Sequence, residues 1–252
     1  MSQPNPFLSS ASSTPSGPGD GPRAVAVGQG WAWIVGGFEL FKKQPGMWIA
    51  VVVLLFVILV VLSIIPILGS IAAFLLMPVF TGGLMLGARS VAQGGPLEIG
   101  HLFAGFSNQT GNLVILGAIS IAAWIVVMLP VMAIVGFGAF FGASQGGVAG
   151  AGGVGASFML AFLIAFAMSI VIYMALWFAP AHVVFRGAAP VAAIKASFAG
   201  CLKNIVPFLI YGIVAFVLAI VAAIPLGLGW LVLGPVLVGS VFVAFQDIYG
   251  DA

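Results

Sequence analysis

The sequence predicts an all-α membrane protein: six transmembrane helices built as three parallel repeats, each an amphipathic interfacial helix followed by a helical hairpin. Three observations predict it. The chain of 252 residues is 63% hydrophobic and only 5% charged, whereas a soluble domain carries about 25% charged residues. No Asp, Glu, Lys or Arg occurs in the windows 44–88, 102–185 and 204–246, and each window can hold two crossings of roughly 20 residues through about 30 Å of hydrocarbon. Finally, one pattern occurs three times. Ile34, Phe38, Phe41 and Lys43-Gln44 return at the same spacing as Ile99, Phe103, Phe106 and Asn108-Gln109, and again as Ile194, Phe198, Cys201 and Lys203-Asn204. A long apolar run follows each, interrupted at Pro66, Pro130 and Pro225, and a second run carries Pro78, Pro180 and Pro235.

Residues 1–28 are rich in Ser, Pro and Gly and lack the basic start and apolar centre of a signal peptide. Such a composition buries too little surface to offset ordering entropy, so they read as a disordered cytoplasmic tail. The transmembrane domain then occupies 29–252, with repeats at 29–92, 96–186 and 190–247. In the first, Trp31, Ile34, Phe38 and Phe41 share a helical stripe suited to a membrane interface. Pro45-Gly46 turns the chain into a first span over about 47–68, and the second runs over about 71–91 with Gly83 and Gly87 as a close-packing pair. Val and Ile density there would suit a strand in water, but an open strand leaves its backbone unsatisfied in lipid.

The second repeat opens after Gly94-Gly95-Pro96, with a third span over about 112–137 and a fourth over about 158–184. Between them the Gly-rich segment 142–157 reads as a flexible loop. Its Gly150-x-Gly152-x-x-Gly155 matches a dinucleotide fingerprint in letters only, because no strand precedes it. The third repeat starts at Pro190, a good first-turn residue, and supplies spans over about 205–224 and 230–246. All seven Lys and Arg residues (Arg23, Lys42, Lys43, Arg89, Arg186, Lys195 and Lys203) then fall on one side, and the hairpin tips have none. The positive-inside rule makes that side, and both termini, cytoplasmic.

Chemistry-bearing residues are few. Ionisable groups in a bilayer mark ion or proton paths, and the predicted spans contain only His182. A net charge of +2 with scattered cations excludes a nucleic-acid footprint. One cysteine, Cys201, excludes an internal disulfide and a Cys-pair metal motif, and His101, His182 and Cys201 lack ligand spacing. Neither metal nor cofactor is expected, and no nucleophile elbow, zinc-protease or phosphate-loop motif occurs.

The opening Gly30-Trp31-x-Trp33-Ile34, then Phe38-x-Leu40-Phe41, Pro45 and Trp48, resembles the start of a family of bacterial inner-membrane proteins. The tripled unit over about 29–247 is similar to the YciC-like proteins and to the membrane domain attached to some glycerophosphodiester phosphodiesterases. The resemblance implies a bacterial cytoplasmic membrane and six spans, and it carries over no catalytic residue. The expected function is non-enzymatic: a membrane component binding lipids, other membrane proteins or a second copy of itself. The alternative is a permease or channel for a neutral or lipidic solute, with His182, Tyr173, Tyr211 and Asn112 as its lumen or ligand contacts.

Overall fold

The computed structural model describes residues 21–250, so the sequence-assigned tail before residue 21 lies outside it. Among the described residues there is no strand. The helices are α1 (Gln29–Lys43), α2 (Pro45–Ser63), α3 (Leu68–Ala92), α4 (Ile99–Phe103) with a 3-10 turn (Ala104–Phe106), α5 (Thr110–Gln145), α6 (Gly147–Leu176), α7 (Ala179–Arg186), α8 (Pro190–Lys203), α9 (Ile205–Ala223) and α10 (Trp230–Tyr249). Six stretches are long and apolar enough to cross a bilayer: Pro45–Ser63, Leu68–Ala92, Thr110–Gln145, Gly150–Arg186, Ile205–Ala223 and Trp230–Tyr249. Pro45 and Pro190 sit in first turns, where a missing N–H costs nothing. Lys42, Lys43 and Lys203 close their helices in the last turn, where cations meet the negative end of the helix dipole.

The cations gather at one end of the molecule, and four of the seven donate to its own backbone. Lys43 donates to the Val91 carbonyl at 3.1 Å and Lys203 to that of Pro22 at 2.8 Å. Arg186 donates to the Tyr249 carbonyl and Arg23 to that of Asp247. The core lies at this charged end. Trp33, Trp48, Phe178, Phe242 and Phe245 are wholly buried there, from α1, α2, the α6–α7 junction and α10. The opposite, bare end carries the hairpin turns. Ile67 and Leu226 adopt left-handed φ values of 62° and 54° there, a conformation that costs a non-glycine residue free energy.

Three sequence expectations change. The segment 142–157 is not a loop: α5 continues to Gln145 and α6 starts at Gly147, with positive φ only at Gly146 and Gly147. Gly142 and Gly150 face each other so closely that a Cβ on either would meet the other's backbone. Gly142 and Gly150 therefore serve helix contact, as small residues do in lipid, while Gly152, Gly153 and Gly155 have no neighbour within 4 Å of a Cβ. Next, the expected fourth span is two helices. The chain breaks at Trp177–Phe178, and Pro180 occupies the first turn of α7. Ser197 of α8 repairs the break, donating to the Met174 carbonyl at 2.8 Å and accepting from the Phe178 N–H at 3.0 Å. Lastly, the α1 stripe of Trp31, Ile34, Phe38 and Phe41 is split between exposed and buried side chains. Trp33, Ile34, Leu40 and Phe41 are buried while Trp31 and Phe38 are exposed, because Gly30 and Gly37 let α1 press directly onto the backbones of α9 and α10.

Residues 21–28, assigned to the tail, run to the charged end and are held there. The Arg23 N–H donates to the Ile248 carbonyl at 2.9 Å, and its guanidinium lies 3.7 Å from the Asp247 carboxylate.

Candidate functional site

The four residues singled out for chemistry occupy separate environments. His182, in the first turns of α7, is 2% exposed. Its ring meets those of Tyr249 and Phe245 edge-on, at centroid distances of 4.3 and 4.9 Å, and its Nε2 has no hydrogen-bond partner. The Arg186 guanidinium lies 5.7 Å from each of the same two rings. An edge-on ring lets an N–H point at a π face, a weak contact, so the pocket is an aromatic box closed by a cation. Tyr211 is buried in α9, its hydroxyl 2.8 Å from Ser240 Oγ and its ring beside Trp177 and Trp33. Tyr173 is 57% exposed on α6, edge-on to Trp124 at 5.9 Å. Asn112 donates to Gln109 Oε1 at 2.8 Å near the start of α5.

Sequence reasoning missed a set of amides. Asn204 Oδ1 accepts from the Val25 N–H at 2.8 Å, and its Nδ2 donates to the Arg23 and Gly200 carbonyls, both at 2.9 Å. Gln44 accepts from the Leu97 N–H at 2.8 Å and donates to the Gly95 carbonyl at 3.0 Å. Gln109 Nε2 lies by Gly187, 3.7 Å from where a Cβ would sit. These residues end the doublets Lys43-Gln44, Asn108-Gln109 and Lys203-Asn204, so the repeat itself was the signal. Asp247, the acceptor for the Trp33 indole N–H at 2.9 Å, carried no such mark. His101 caps α4, its Nδ1 accepting from the Glu98 N–H at 3.0 Å, a reciprocal capping arrangement.

Cys201 is buried in α8. Burial pushes its thiol up to about 12, against an opposing hydrogen bond from Ser197, so it holds its proton at neutral pH and is a poor nucleophile. Among the described residues no three His, Cys, Asp or Glu side chains cluster to hold a metal ion.

Two crevices open on the apolar surface. One, of about 250 Å³, lies between α5 and α6 near the bare end, with Phe137, Phe141 and Ser157 in its lining. The wider, of about 470 Å³, lies between α9 and α10 above α1. Each helix contributes one stripe at spacings of three, four and seven residues: Trp31, Ile34, Val35 and Phe38 as the floor, with walls running from Leu218 to Pro225 and from Gly229 to Val236. Every lining side chain is apolar. The groove thus suits hydrocarbon rather than an aqueous solute.

The chain is similar to a probable inner membrane protein of Burkholderia thailandensis, 26% identical over 207 residues that cover 78% of this chain and 75% of that protein. No family model and no solved structure matches. With that likeness and six helices long and apolar enough to cross a bilayer, the chain is a multi-pass inner-membrane protein.

Proposed function

We propose that this chain is a non-enzymatic component of the bacterial inner membrane that holds lipids or partner proteins against its apolar arms, with both termini cytoplasmic. One observation carries the reading. The middle of the charged end is filled by Trp33, Trp48, Phe178, Phe242 and Phe245, and its buried Ser197, Asn204 and Ser240 are bonded internally. The buried His182, whose Nε2 has no partner, is packed against the Tyr249 and Phe245 rings rather than along an open path. A wet path for a solute would need polar groups left free along it, so the same observation weighs against a permease. What the molecule offers its surroundings is apolar helix face.

We further infer that the three units are parallel repeats closed into a ring, and the geometry supports this at matched positions. Gly37 of α1 presses on the Val236 carbonyl and on Ser240 of α10. At the matching place on the other short helices, the His101 and Leu102 carbonyls of α4 meet Gly83 of α3, and Ser197 of α8 bonds Met174 and Phe178, just before Pro180. Each hairpin's second helix therefore grips the short helix of the next unit, and the third grips the first. The amides of Gln44 and Asn204 tie down the segment leading into that same short helix, and Gln109 lies beside Gly187 in the corresponding segment. This architecture accords with the resemblance to the YciC-like proteins.

The test is in-membrane crosslinking followed by purification and identification of retained lipid and protein. A reproducible lipid class or partner is expected; recovering neither sinks the proposal. Reporter fusions at Gly69, Gly147 and Gly227 should report the outside and fusions at Gln93 and Ala188 the inside, and a mixed pattern would overturn the orientation.

A further inference from the structure

We propose that the groove between α9 and α10 is a binding site for a zwitterionic phospholipid, one acyl chain lying in the groove and the amine-bearing headgroup held by Lys42 and Glu39. The inference rests on the lipid- or partner-binding reading above and names the ligand. Its floor is the α1 stripe Trp31, Ile34, Val35 and Phe38. Lys42 continues that stripe one turn beyond Phe38, so the apolar surface ends in a cation. The Lys42 ammonium stands 5.4 Å from the Phe38 ring centroid, which places the charge at the groove's edge. Glu39 lies 2.7 Å from it, and both side chains stay about half exposed, at 48% and 50%.

That pair differs from most of the charges at this end. Arg23, Lys43, Arg186 and Lys203 donate to carbonyls of the chain, and Arg89 lies over Phe185. Lys42 bonds only its neighbour Glu39 among the described contacts, and it does so at the mouth of a crevice. A bare cation would select an anionic lipid. A cation and a carboxylate side by side instead present both signs to a headgroup that carries both: the phosphate meets Lys42, the ammonium meets Glu39, and neither headgroup charge is left unpaired. The groove is the right size for the rest. Its walls rise by seven residues, about 10 Å at 1.5 Å per residue, most of one leaflet's share of a roughly 30 Å hydrocarbon core. Its volume of about 470 Å³ lies within the 300–1,000 Å³ typical of ligand sites.

The experiment uses the full chain in nanodiscs of equimolar phosphatidylethanolamine and phosphatidylglycerol, extracted into mild detergent, with retained lipid counted by mass spectrometry. Phosphatidylethanolamine is expected in excess by about fivefold, the factor that one favourable near-surface charge contact contributes. Glu39→Gln, which leaves a bare cation, should abolish or reverse the preference. Lys42→Ala should lower total retained lipid while phosphatidylethanolamine stays in excess, and Val232→Trp, which fills the groove from a lipid-exposed position, should reduce total retained lipid. Equal retention of the two lipids, or retention unchanged in all three variants, would overturn the site. A preference for phosphatidylglycerol would overturn the headgroup assignment and leave the lipid-binding reading standing. A Val232→Cys chain that crosslinks to a second copy would put protein in the groove and overturn it as well. No retained lipid together with no crosslinked partner would bring down both this site and the broader reading.

Discussion

The charged end and the arms of this molecule are both built mainly of apolar side chains and have opposite surroundings. Half of the apolar window in α3 and in α10 is buried inside the chain, against 6% for the apolar window within the stretch Gly150–Arg186. In water the exposed phenylalanines of α5 and α6, such as Phe140, Phe158 and Phe162, would be an aggregation hazard. In lipid they are solvated and contribute nothing to holding helices together. What distinguishes the two regions is therefore close contact and hydrogen bonding, not hydrophobicity. The charged end has glycine-to-backbone contacts, the amides of Gln44 and Asn204, and a cation on each exposed carbonyl cluster. The arms have glycine-to-backbone contacts at the hairpin tips, Gly69 on Leu62 and Gly229 on Ala222, and along the α5–α6 seam. At 36 and 30 residues, those two helices are about 54 and 45 Å long at 1.5 Å per residue. Both exceed a roughly 30 Å core, so this hairpin must tilt or project.

The sharpest way to break this contrast is to add one side chain at each end. At Gly37 and Gly83 a Cβ would strike backbone of a neighbouring helix, while at Gly152 nothing lies within 4 Å. Gly37→Leu and Gly83→Leu should each cost more than about 4 kcal/mol, the range reserved for overpacking against unyielding structure, and leave little folded protein. Gly152→Leu should leave the thermal midpoint, read by tryptophan fluorescence in detergent, unchanged within error. Equal tolerance at all three would mean that the charged end is not the rigid part.

Reactivity offers a second separation. The Cys201 thiol, raised to about 12 by burial, should be alkylated at pH 9 at least about a hundredfold more slowly than in the unfolded chain, where half the thiol is ionised near its ordinary value. The sign is that of a raised group: its protonated form stabilises the fold below the unfolded value, and that contribution fades as pH climbs towards the folded one. A cysteine placed at the bare end by Ser144→Cys should react at the unfolded rate. Fast labelling of Cys201 would show that the charged end opens readily.

A third and smaller effect belongs to the amides. Asn204→Ala removes bonds to Val25, Arg23 and Gly200 and should cost about 1–3 kcal/mol, since it strands partly buried backbone groups. Amide hydrogen exchange should quicken at Val25 first. Gln109→Ala should cost less, because the Gln109 side chain stands beside Gly187 without a hydrogen bond of that quality.

How much of this was legible follows from the range of each interaction. Charge-free windows announce the six crossings, because lipid tolerates no other composition. First-turn prolines mark helix starts, because the restraint lies within one residue. The clustering of cations on one side needed only the count of crossings. The glycine-rich stretch 142–157 was misread, because a glycine in a turn and a glycine in a helix seam look alike until the partner helix is known. The break at Trp177–Phe178 was invisible for the same reason: its repair comes from Ser197, nineteen residues on. Of the site residues, Tyr211 and His182 drew attention as polar groups among apolar ones. That pattern signals burial as readily as it signals a lumen.

His182 is where that ambiguity can be settled most finely. An unpartnered buried nitrogen is a cost that function has to justify or that an aromatic contact offsets. Phenylalanine keeps the flat ring against Tyr249 and Phe245 and removes the orphaned nitrogen, so His182→Phe should leave stability within about 0.5 kcal/mol of the parent or raise it. His182→Ala leaves a cavity instead and should cost about 2–4 kcal/mol. If both variants retain the same lipids and partners, the ring is packing. If His182→Phe keeps its thermal midpoint but loses a retained ligand, the nitrogen has work outside the fold, and the charged end is more than the anchor for the arms.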